Sequence, residues 1–532
     1  MTGDSIEKIM NTFEKKISFP ESTPWYGRKW LCNVVFFLAV IIWFGIFAWY
    51  DVDLHHDGIM LAAADQVAKK RVIFRDVFCQ YGALTVWIQS LPVSFFGADV
   101  LVIRLTTVLF YGFIALLGAN IWGRFLKFPF KWIWHLCFFA LCPFYLMSFH
   151  PWTSVYALFF MLLGLEMQLR FLEDDTSVQH PAEWAGVCAF GAFLCRTPCG
   201  IVTLAAGILL FLLHAQVEKT PRRFRGLLSY VGGAGAAALL YAAYLTVAGA
   251  WEDYILQCFK FASTYATGTS CTAYWQKFCN TLFPAQDPLG VCSVIFLLFP
   301  LLTIGAIWGM CRKILSFSRE DRKKQLPLAA VLLLTAASLH QYYPVPCFRH
   351  LWWAAIPAFG VYALTAQKIW ERQKSMKIRV VLLIVLATPL LTAFAFRGAT
   401  VVDTAAKLPR MITADLPGMR NSLMLKDDYA FIKSLYNAFN DLPAEIRQRG
   451  VLNHTPDGGF NLLFPALPEF NYPMFVNWYD LVYPDYTAVI SFYVEQKKPV
   501  ILSTMLEKIP EYRIVFKGRR FDKNFYLFAP LD

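Results

Sequence analysis

The stretch Asp51-Val-Asp53-Leu-His55-His56-Asp57-Gly58 directly follows an apolar run, Trp30 to Tyr50. That run is long enough to cross a bilayer as a helix, which takes about 20 apolar residues. Three carboxylates and two imidazoles are costly at a membrane boundary and therefore point to a function. The loop continues to Gly97, and we expect its apolar stretch, Ala83 to Phe96, to lie on the membrane surface. This first loop is where we look for a site.

The composition is that of a membrane protein with many spans. Of 532 residues, 57% are hydrophobic, 17% are aromatic and only 16% are charged. The net charge of +12 does not indicate a nucleic-acid partner, because Lys and Arg stand in short clusters between apolar runs, as in cytoplasmic loops. The thirteen cysteines lack the spacing of a zinc site. A disulfide among Cys258, Cys271 and Cys279, in one outer loop, stays open.

Eleven apolar stretches are candidate membrane spans. They lie near residues 30–50, 99–121, 131–149, 152–171, 183–197, 199–215, 227–248, 289–311, 326–341, 350–366 and 378–396. Basic clusters around Arg28, Lys127, Arg223, Lys324 and Lys374 all fall on one side, which the positive-inside rule assigns to the cytoplasm. With the N-terminus inside, eleven spans place the C-terminus outside. We therefore expect a multi-pass protein of the cytoplasmic (inner) membrane.

The composition changes after the last span, where charged residues return. Short β-like runs at 499–503, 512–516 and 525–528 alternate with helical patterns such as 427–439. The predicted fold class is an α-helical polytopic membrane protein of about eleven transmembrane helices with a small C-terminal soluble α/β domain. The predicted parts are a cytoplasmic segment 1–29, a transmembrane domain 30–396 with the outer loop 51–98, and an extracytoplasmic domain 397–532. Within that domain, Asp457-Gly458-Gly459 is typical of a turn.

Asp53 and Asp57 are the candidate catalytic groups of the first loop. In a helix they lie one turn apart on one face. A carboxylate pair, or a carboxylate with a histidine, is what general-base catalysis or a divalent metal site requires. His55 and His56 point to different faces of a helix or a strand, so at most one of them joins a given site.

Two arginines depart from the positive-inside pattern, because each stands in a short outer turn at the end of a span. They are Arg196 in Leu194-Cys195-Arg196-Thr197-Pro198 and Arg349 in Pro346-Cys347-Phe348-Arg349-His350. Either one alone is as well explained by snorkelling to lipid headgroups. Two that face a loop rich in Asp and His favour a bound phosphate held by fork-like donors.

Three short motifs follow one another on the predicted outer side. They are Asp57 with Met60 to Ala64, Tyr81 to Leu84 and Ser94 to Gly97; then Phe193 to Gly200; then Arg349-His350 through Ile356-Pro357. Together, over roughly the first 400 residues, they resemble the GT-C superfamily of polyprenyl-phosphate-sugar glycosyltransferases, which includes the protein O-mannosyltransferases and the aminoarabinose transferase of lipid A. In the commoner pattern Glu follows the first-loop Asp, whereas here Gly58 follows Asp57. It stays open whether Asp53 or Asp57 is the better match.

The resemblance implies transfer of a sugar from a polyprenyl-phosphate donor to an extracytoplasmic glycan, lipid or protein acceptor, with inversion at the anomeric carbon. Such an enzyme needs a base for the acceptor and cations for the departing phosphate. The implied site residues are Asp57 or Asp53 as the base, Arg196 and Arg349 as phosphate ligands with His340 and His350 as helpers, and His55 and His56 as weaker substrate or metal ligands. A divalent cation, which oligosaccharyltransferase relatives bind, is left open.

Two other classes of membrane protein stay open. A transporter or flippase of lipid-linked saccharides typically shows repeated halves or broken helices with charges near the bilayer centre, and neither is evident in the sequence. An O-antigen polymerase or ligase would carry its key charges in a large loop late in the chain. Here the charges cluster in the first loop, so the glycosyltransferase hypothesis is preferred.

Overall fold

The computed structural model describes residues 29–127, 130–140, 149–218, 223–261, 271–282, 297–342, 348–465, 486–505 and 509–531. At several helical positions within these ranges, Arg349 and Cys271 among them, only the backbone is described. The helices of the transmembrane part are α1 (Lys29–Ala48), α2 (His56–Ala68), α3 (Ala83–Phe96), α4 (Val100–Trp122), α5 (Lys131–Ala140), α6 (Thr153–Leu172), α7 (Pro181–Cys195), α8 (Thr197–Val217), α9 (Arg225–Ala248), α10 (Trp251–Ile255), α11 (Cys271–Leu282), α12 (Phe299–Leu315), α13 (Arg319–Ser338), α14 (Phe348–Arg372) and α15 (Met376–Lys407).

The prediction of a helical membrane protein with many spans is confirmed. Among the described residues, six helices are long and apolar enough to cross a membrane: α1, α4, α6, α8, α9 and the part of α15 from Met376 to Ala395. Each of the eleven predicted spans coincides with a helix, although parts of the stretches 131–149 and 289–311 lie outside the described residues. The last helix continues past the predicted end of its span, to Lys407.

The first loop folds into two helices, α2 and α3, that pack on each other. Helix α3 buries one face, including Val86 and Val93, against the bundle, while Phe95 and Phe96 are more than three-quarters exposed. An apolar helix with one buried and one exposed apolar face suits the boundary of a bilayer. This is the arrangement expected of a stretch that lies on the membrane surface.

The basic connections meet at one end of the bundle. Lys127, which follows α4, lies 2.9 Å from Glu371 at the end of α14, and Lys323 of α13 lies 2.9 Å from Glu218 after α8. The first residue of α4, Val100, instead donates its amide to the C-terminal domain. The basic clusters and the first loop therefore occupy opposite ends of the helices, as the charge pattern predicts.

The C-terminal part is a small α/β domain, as predicted. Its elements are β1 (Met411–Thr413), β2 (Leu423–Leu425), α16 (Lys426–Asn440), α17 (Ala444–Gln448), β3 (Val451–His454), α18 (Phe460–Leu463), α19 (Tyr486–Lys497), β4 (Val500–Ser503), β5 (Tyr512–Arg520) and β6 (Lys523–Pro530). Strands β1 and β2 pair antiparallel, and the other four form a sheet in the order β3-β4-β6-β5. Only β3 and β4 are parallel.

Alternation along β6 decides how this sheet packs. Phe525 faces α16, where its ring lies 5.3 Å from that of Phe431, and Leu527 belongs to the same core. Tyr526 and Phe528 face the other way, into a cluster with residues of α19. Successive side chains of a strand point to opposite faces of the sheet. When both faces are covered, the sequence of the strand is therefore a continuous apolar run. The first of these cores is continuous with that of the helical bundle.

Main-chain hydrogen bonds join the C-terminal domain to the first loop. Leu423 of β2 donates its amide to the Trp49 carbonyl (2.8 Å) and accepts from the amide of Asp51 (2.7 Å). The turn at Gly459 donates to the carbonyl of Leu54, at 2.7 Å. The domain is thus docked directly on the charged stretch that follows α1.

Candidate active site

Asp53 fixes the beginning of α2. Its Oδ1 accepts the main-chain amides of His55 and His56, both at 3.0 Å, which would otherwise be unpaired in the first turn of a helix. A carboxylate in this position also interacts favourably with the helix dipole. One oxygen of Asp53 is therefore used for folding, and the other, Oδ2, remains available for chemistry.

Oδ2 of Asp53 is the centre of a three-residue cluster. Nδ1 of His56 lies 2.6 Å from it, and Nε2 of His150 lies 3.2 Å from it. His56 comes from the first turn of α2, whereas His150 precedes α6, so the cluster forms only when these two segments pack together. His150 is almost fully buried, while Asp53 and His56 keep about a quarter of their side-chain surface exposed. The cluster therefore has one open side.

The surroundings of Asp53 keep it ionised. Burial by itself would raise the pKa of this carboxyl, but the imidazole of His150 at 3.2 Å and the hydrogen bond from His56 outweigh burial and hold the pKa well below its ordinary value. A carboxylate this acidic is a weak proton acceptor. Its better roles are to orient and polarise an imidazole or to bind a cation.

Asp57 occupies a different environment. It is fully buried and makes a two-pronged ion pair with Arg104 of α4, which is fully buried as well. Arg104 also donates to the carbonyls of Ala48 and Tyr50, at 3.0 and 2.8 Å. Burial raises the pKa of Asp57 to about 6 against the opposing charge of Arg104. Asp57 has no exposed surface in this structure, an arrangement that does not favour its role as the base, which stays a prediction.

Arg196 lies beside the first turn of α6, close to the cluster. It stands between α7 and α8 and donates to the hydroxyl of Ser154. Trp152 stands two residues before Ser154, and its ring lies 5.1 Å from that of His56. His340 is also near, because its Nε2 lies 3.9 Å from Sγ of Cys199 at the start of α8. The predicted phosphate ligand and one helper thus lie on the same side of the bundle as Asp53.

The remaining predicted site residues divide into two groups. His350 stands in the first turn of α14 with its ring 5.4 Å from that of Trp353, and the side chain of Arg349 lies outside the described residues. His55 turns away from the cluster, since its Nδ1 lies 2.7 Å from the carbonyl of Pro456 in the C-terminal domain. As expected from the sequence, only one of the two neighbouring histidines joins the cluster. Cys258 and Cys279 are free thiols.

Two residues of this region are missed by the sequence reasoning, although each has a signal. Arg104 is an arginine within an apolar span, and such a residue predicts a buried carboxylate partner. His150 stands in a short turn on the same predicted side as the first loop, directly before Pro151. Neither signal identifies the partner, because Asp53 and His150, like Asp57 and Arg104, come together only through helix packing.

No protein-family model matches the sequence, and no curated protein does. Among solved structures, the chain is similar to the archaeal oligosaccharyltransferase AglB from Archaeoglobus fulgidus, in complex with an inhibitory peptide and a dolichol-phosphate, with 12% identity, 90% of this chain and 70% of that chain covered, and a TM-score of 0.47. It is also similar to ArnT from Cupriavidus metallidurans bound to undecaprenyl phosphate, with 12% identity, 93% and 97% coverage and a TM-score of 0.48. At these scores the likeness carries no functional argument, and the function has to be inferred from the side chains.

Proposed function

We propose that this chain is an integral-membrane glycosyltransferase that moves a sugar from a polyprenyl-phosphate donor to an extracytoplasmic acceptor. The observation that carries the proposal is the half-open cluster of Asp53, His56 and His150, with Arg196 beside it, at the end of an apolar bundle. Proton transfer and anion binding are the two requirements of this reaction, since the donor already carries its leaving group. A lipid donor fits a site that opens where a helical bundle meets the membrane boundary.

His56 is the proposed proton acceptor, with Asp53 as its partner. A carboxylate hydrogen-bonded to one imidazole nitrogen fixes the tautomer, so that the other nitrogen can accept a proton. In the reaction, the acceptor's O–H or N–H gives its proton to Nε2 of His56 as its O or N forms a bond to the anomeric carbon. The bond from that carbon to the phosphate oxygen breaks at the opposite face, which inverts the centre. His150 holds Asp53 from the other side.

Arg196 is the proposed ligand of the departing phosphate, and Arg349 is its proposed second ligand. The guanidinium of Arg196 is half-buried near the cluster, where a charge-assisted hydrogen bond is stronger than in water. Ser154 orients the guanidinium in the absence of substrate. His340 and His350 stay secondary candidates on the same side of the bundle.

The same three side chains also suit a divalent cation. The ligand atoms of Asp53, His56 and His150 lie within 4.8 Å of one another, and one carboxylate with two imidazoles favours zinc or another transition metal over Mg²⁺ and Ca²⁺, which prefer oxygen ligands. When bound there, a cation would polarise the acceptor or the phosphate oxygen. Metal analysis of the purified protein tests this: equal metal content in wild type and Asp53→Asn would exclude the cluster as the metal site.

The function is tested with purified protein and a panel of radiolabelled polyprenyl-phosphate sugars. Asp53→Asn, His56→Asn and His150→Asn should each lower turnover by about a hundred- to ten-thousandfold, the usual contribution of acid-base catalysis. Arg196→Ala should instead weaken donor binding by about ten- to a hundredfold, since a charge-assisted contact is worth roughly 1.5–3 kcal/mol. Arg75→Ala is the matched control, because that arginine is exposed and pairs with its neighbour Asp76.

Two outcomes would contradict the proposal. Normal turnover in all three cluster variants would remove the assigned chemistry. Donor binding with movement across the membrane, but without transfer to any acceptor, would favour the flippase hypothesis.

A further inference from the structure

A cavity lies at the end of the bundle opposite the Asp53 cluster. It has a volume of about 570 Å³, within the usual range of about 300–1,000 Å³ for ligand sites. Its wall is formed by the ends of four successive helices, α12 to α15, with apolar contributions that include Ala306, Met310, Ile314, Leu328, Leu364 and Leu382. The contact between Lys127 and Gln367 shows at which end of the bundle this cavity lies. The amide of Lys127 donates to Oε1 of Gln367 at 2.8 Å and so joins the far end of α4 to the last turns of α14.

Three basic side chains line this mostly apolar cavity, to which Gln325, Thr365 and Gln373 also contribute. The basic side chains are Lys313 at the end of α12, and Lys368 and Arg372 in the last turns of α14. In the part of the chain that the structure describes, none of the three forms an ion pair. The carboxylate on the same helix, Glu371, is already paired with Lys127 at 2.9 Å. Three like charges around one cavity repel each other unless an anion lies between them.

Gly309 shows that the space continues up to the backbone of α12. A Cβ added at this glycine would meet no atom within 4 Å, although Gly309 lines the cavity. Gly305, one turn earlier on the same helix, also has open space but does not line the cavity. The cavity thus has an apolar part that runs along α12 and a basic part at its mouth.

We propose that this cavity binds one anionic phospholipid. Its phosphodiester would lie among Lys313, Lys368 and Arg372, and an acyl chain would lie against the apolar wall beside Gly309. This lining favours a ligand that is both amphipathic and negatively charged. A free phosphate would not contact the apolar wall, and a neutral lipid would not neutralise the three bases. The site is separate from the proposed transfer reaction, since it lies at the other end of the helices.

The test is native mass spectrometry of the purified, delipidated full chain with phosphatidylglycerol or phosphatidylcholine of identical acyl chains. Wild type should retain one phosphatidylglycerol at least tenfold more tightly than phosphatidylcholine. The double variant Lys368→Gln/Arg372→Gln should lose this preference. Lys324→Gln/Lys377→Gln removes two exposed bases from neighbouring segments that do not line the cavity, and should keep it.

A second pair of variants separates the cavity from its charges. Gly309→Leu should fill the space and reduce lipid retention at least tenfold, and its thermal unfolding should match that of wild type, because a Cβ at this position meets no protein atom within 4 Å. Gly305→Leu should leave retention unchanged. Equal retention of the two lipids by wild type, or retention of phosphatidylglycerol unchanged in both the charge and the Gly309 variants, would overturn the proposal and leave these bases as contacts of the bulk headgroup layer. Inorganic phosphate that binds as tightly as phosphatidylglycerol would overturn the apolar part of the proposal, because the acyl chain would then contribute nothing.

Discussion

Asp53 and Asp57 stand one helical turn apart in sequence, yet their side chains serve different purposes. Asp53 accepts the main-chain amides of His55 and His56 at the start of α2 and shares an oxygen with two imidazoles at a partly exposed surface. Asp57 points into the core and holds Arg104, which in turn binds two carbonyls at the end of α1. The ion pair therefore ties α1, α2 and α4 together. Its removal should affect folding before it affects chemistry.

Asp57→Asn should destabilise the protein by about 3–5 kcal/mol, because it leaves the charge of Arg104 buried without its partner. Arg104→Met should cost a similar amount. The double variant Asp57→Leu/Arg104→Met should recover part of the loss, since neither charge is then buried alone. Thermal unfolding in detergent measures all three.

Asp65→Asn is the control for this series. It removes the ion pair between Asp65 of α2 and Lys69, which is 64% exposed, and surface pairs at this spacing are worth about 0.3–0.5 kcal/mol. A folded, normally stable Asp57→Asn protein that has lost transfer would restore Asp57 as the base and contradict the present assignment.

At the scale of elements, the start of α2 and the turn Asp457-Gly458-Gly459 form a close backbone contact. A Cβ added at Gly58 would lie 1.9 Å from the amide nitrogen of Gly459 and 2.6 Å from the carbonyl carbon of Gly458. Any side chain at residue 58 must therefore push the turn away. The contact explains why the residue that follows Asp57 in this chain is glycine.

Gly58→Ala should loosen the docking of the C-terminal domain, with a cost of about 1–3 kcal/mol for overpacking. Limited proteolysis near residue 458 should become faster. Gly45→Ala in α1 is the matched control, because an added Cβ there meets nothing within 4 Å. Equal proteolysis rates for the two variants would show that the contact does not hold the domain.

His55 makes the same junction sensitive to acid. Burial lowers the pKa of His55 below its ordinary 6.5, and His56 lowers it further. The unfolded chain then binds this proton at a higher pH than the folded protein does. The contribution of neutral His55 to the free energy of unfolding is therefore complete above pH 6.5 and decreases as the pH falls below that value. Stability should therefore decrease between pH 7 and pH 5.5.

His55→Asn isolates this effect from the other titratable groups nearby, which are His56, Asp53 and Asp457. The Asn amide can still donate to the Pro456 carbonyl but does not titrate. The variant should lose less stability than wild type on acidification, as followed by chemical unfolding at each pH. Parallel pH profiles of the two proteins would exclude His55 as a source of the dependence.

At the scale of the whole molecule, the two ends of the helical bundle differ in their charge and in what packs against them. The basic connections lie at one end, and the first loop with the C-terminal domain lies at the other. If the basic end is cytoplasmic, the proposed site and the described part of the C-terminal domain are outside. The domain also shares its core with the bundle, so it should not behave as a separable appendage.

This topology predicts that alkaline phosphatase fused after Asp532 is active, whereas a fusion in the loop before α13, at Ser318, is inactive. Phosphatase folds only outside the cytoplasm, so the two fusions report opposite sides. The opposite result would place the Asp53 cluster in the cytoplasm and would remove the argument for a lipid-linked donor.

The sequence alone determined the features that depend on local patterns. Span positions follow from runs of apolar residues, strand positions in the C-terminal domain follow from short apolar runs between turns, and the one-sided distribution of bases follows from counting Lys and Arg along the chain. The importance of the stretch from Asp51 to Gly58 was evident in the same way, because charge after a span is visible without a structure.

Tertiary structure alone decided which of these charges act together. Asp53 meets His150 and Asp57 meets Arg104 only because α2, α4 and the segment before α6 pack at one end of the bundle. Likewise, the turn at Gly458 reaches the first loop only through folding of the C-terminal domain. Hydropathy is a property of neighbours in sequence, whereas a site is made by side chains that are neighbours in space, and no periodicity of the chain encodes which distant segments will meet.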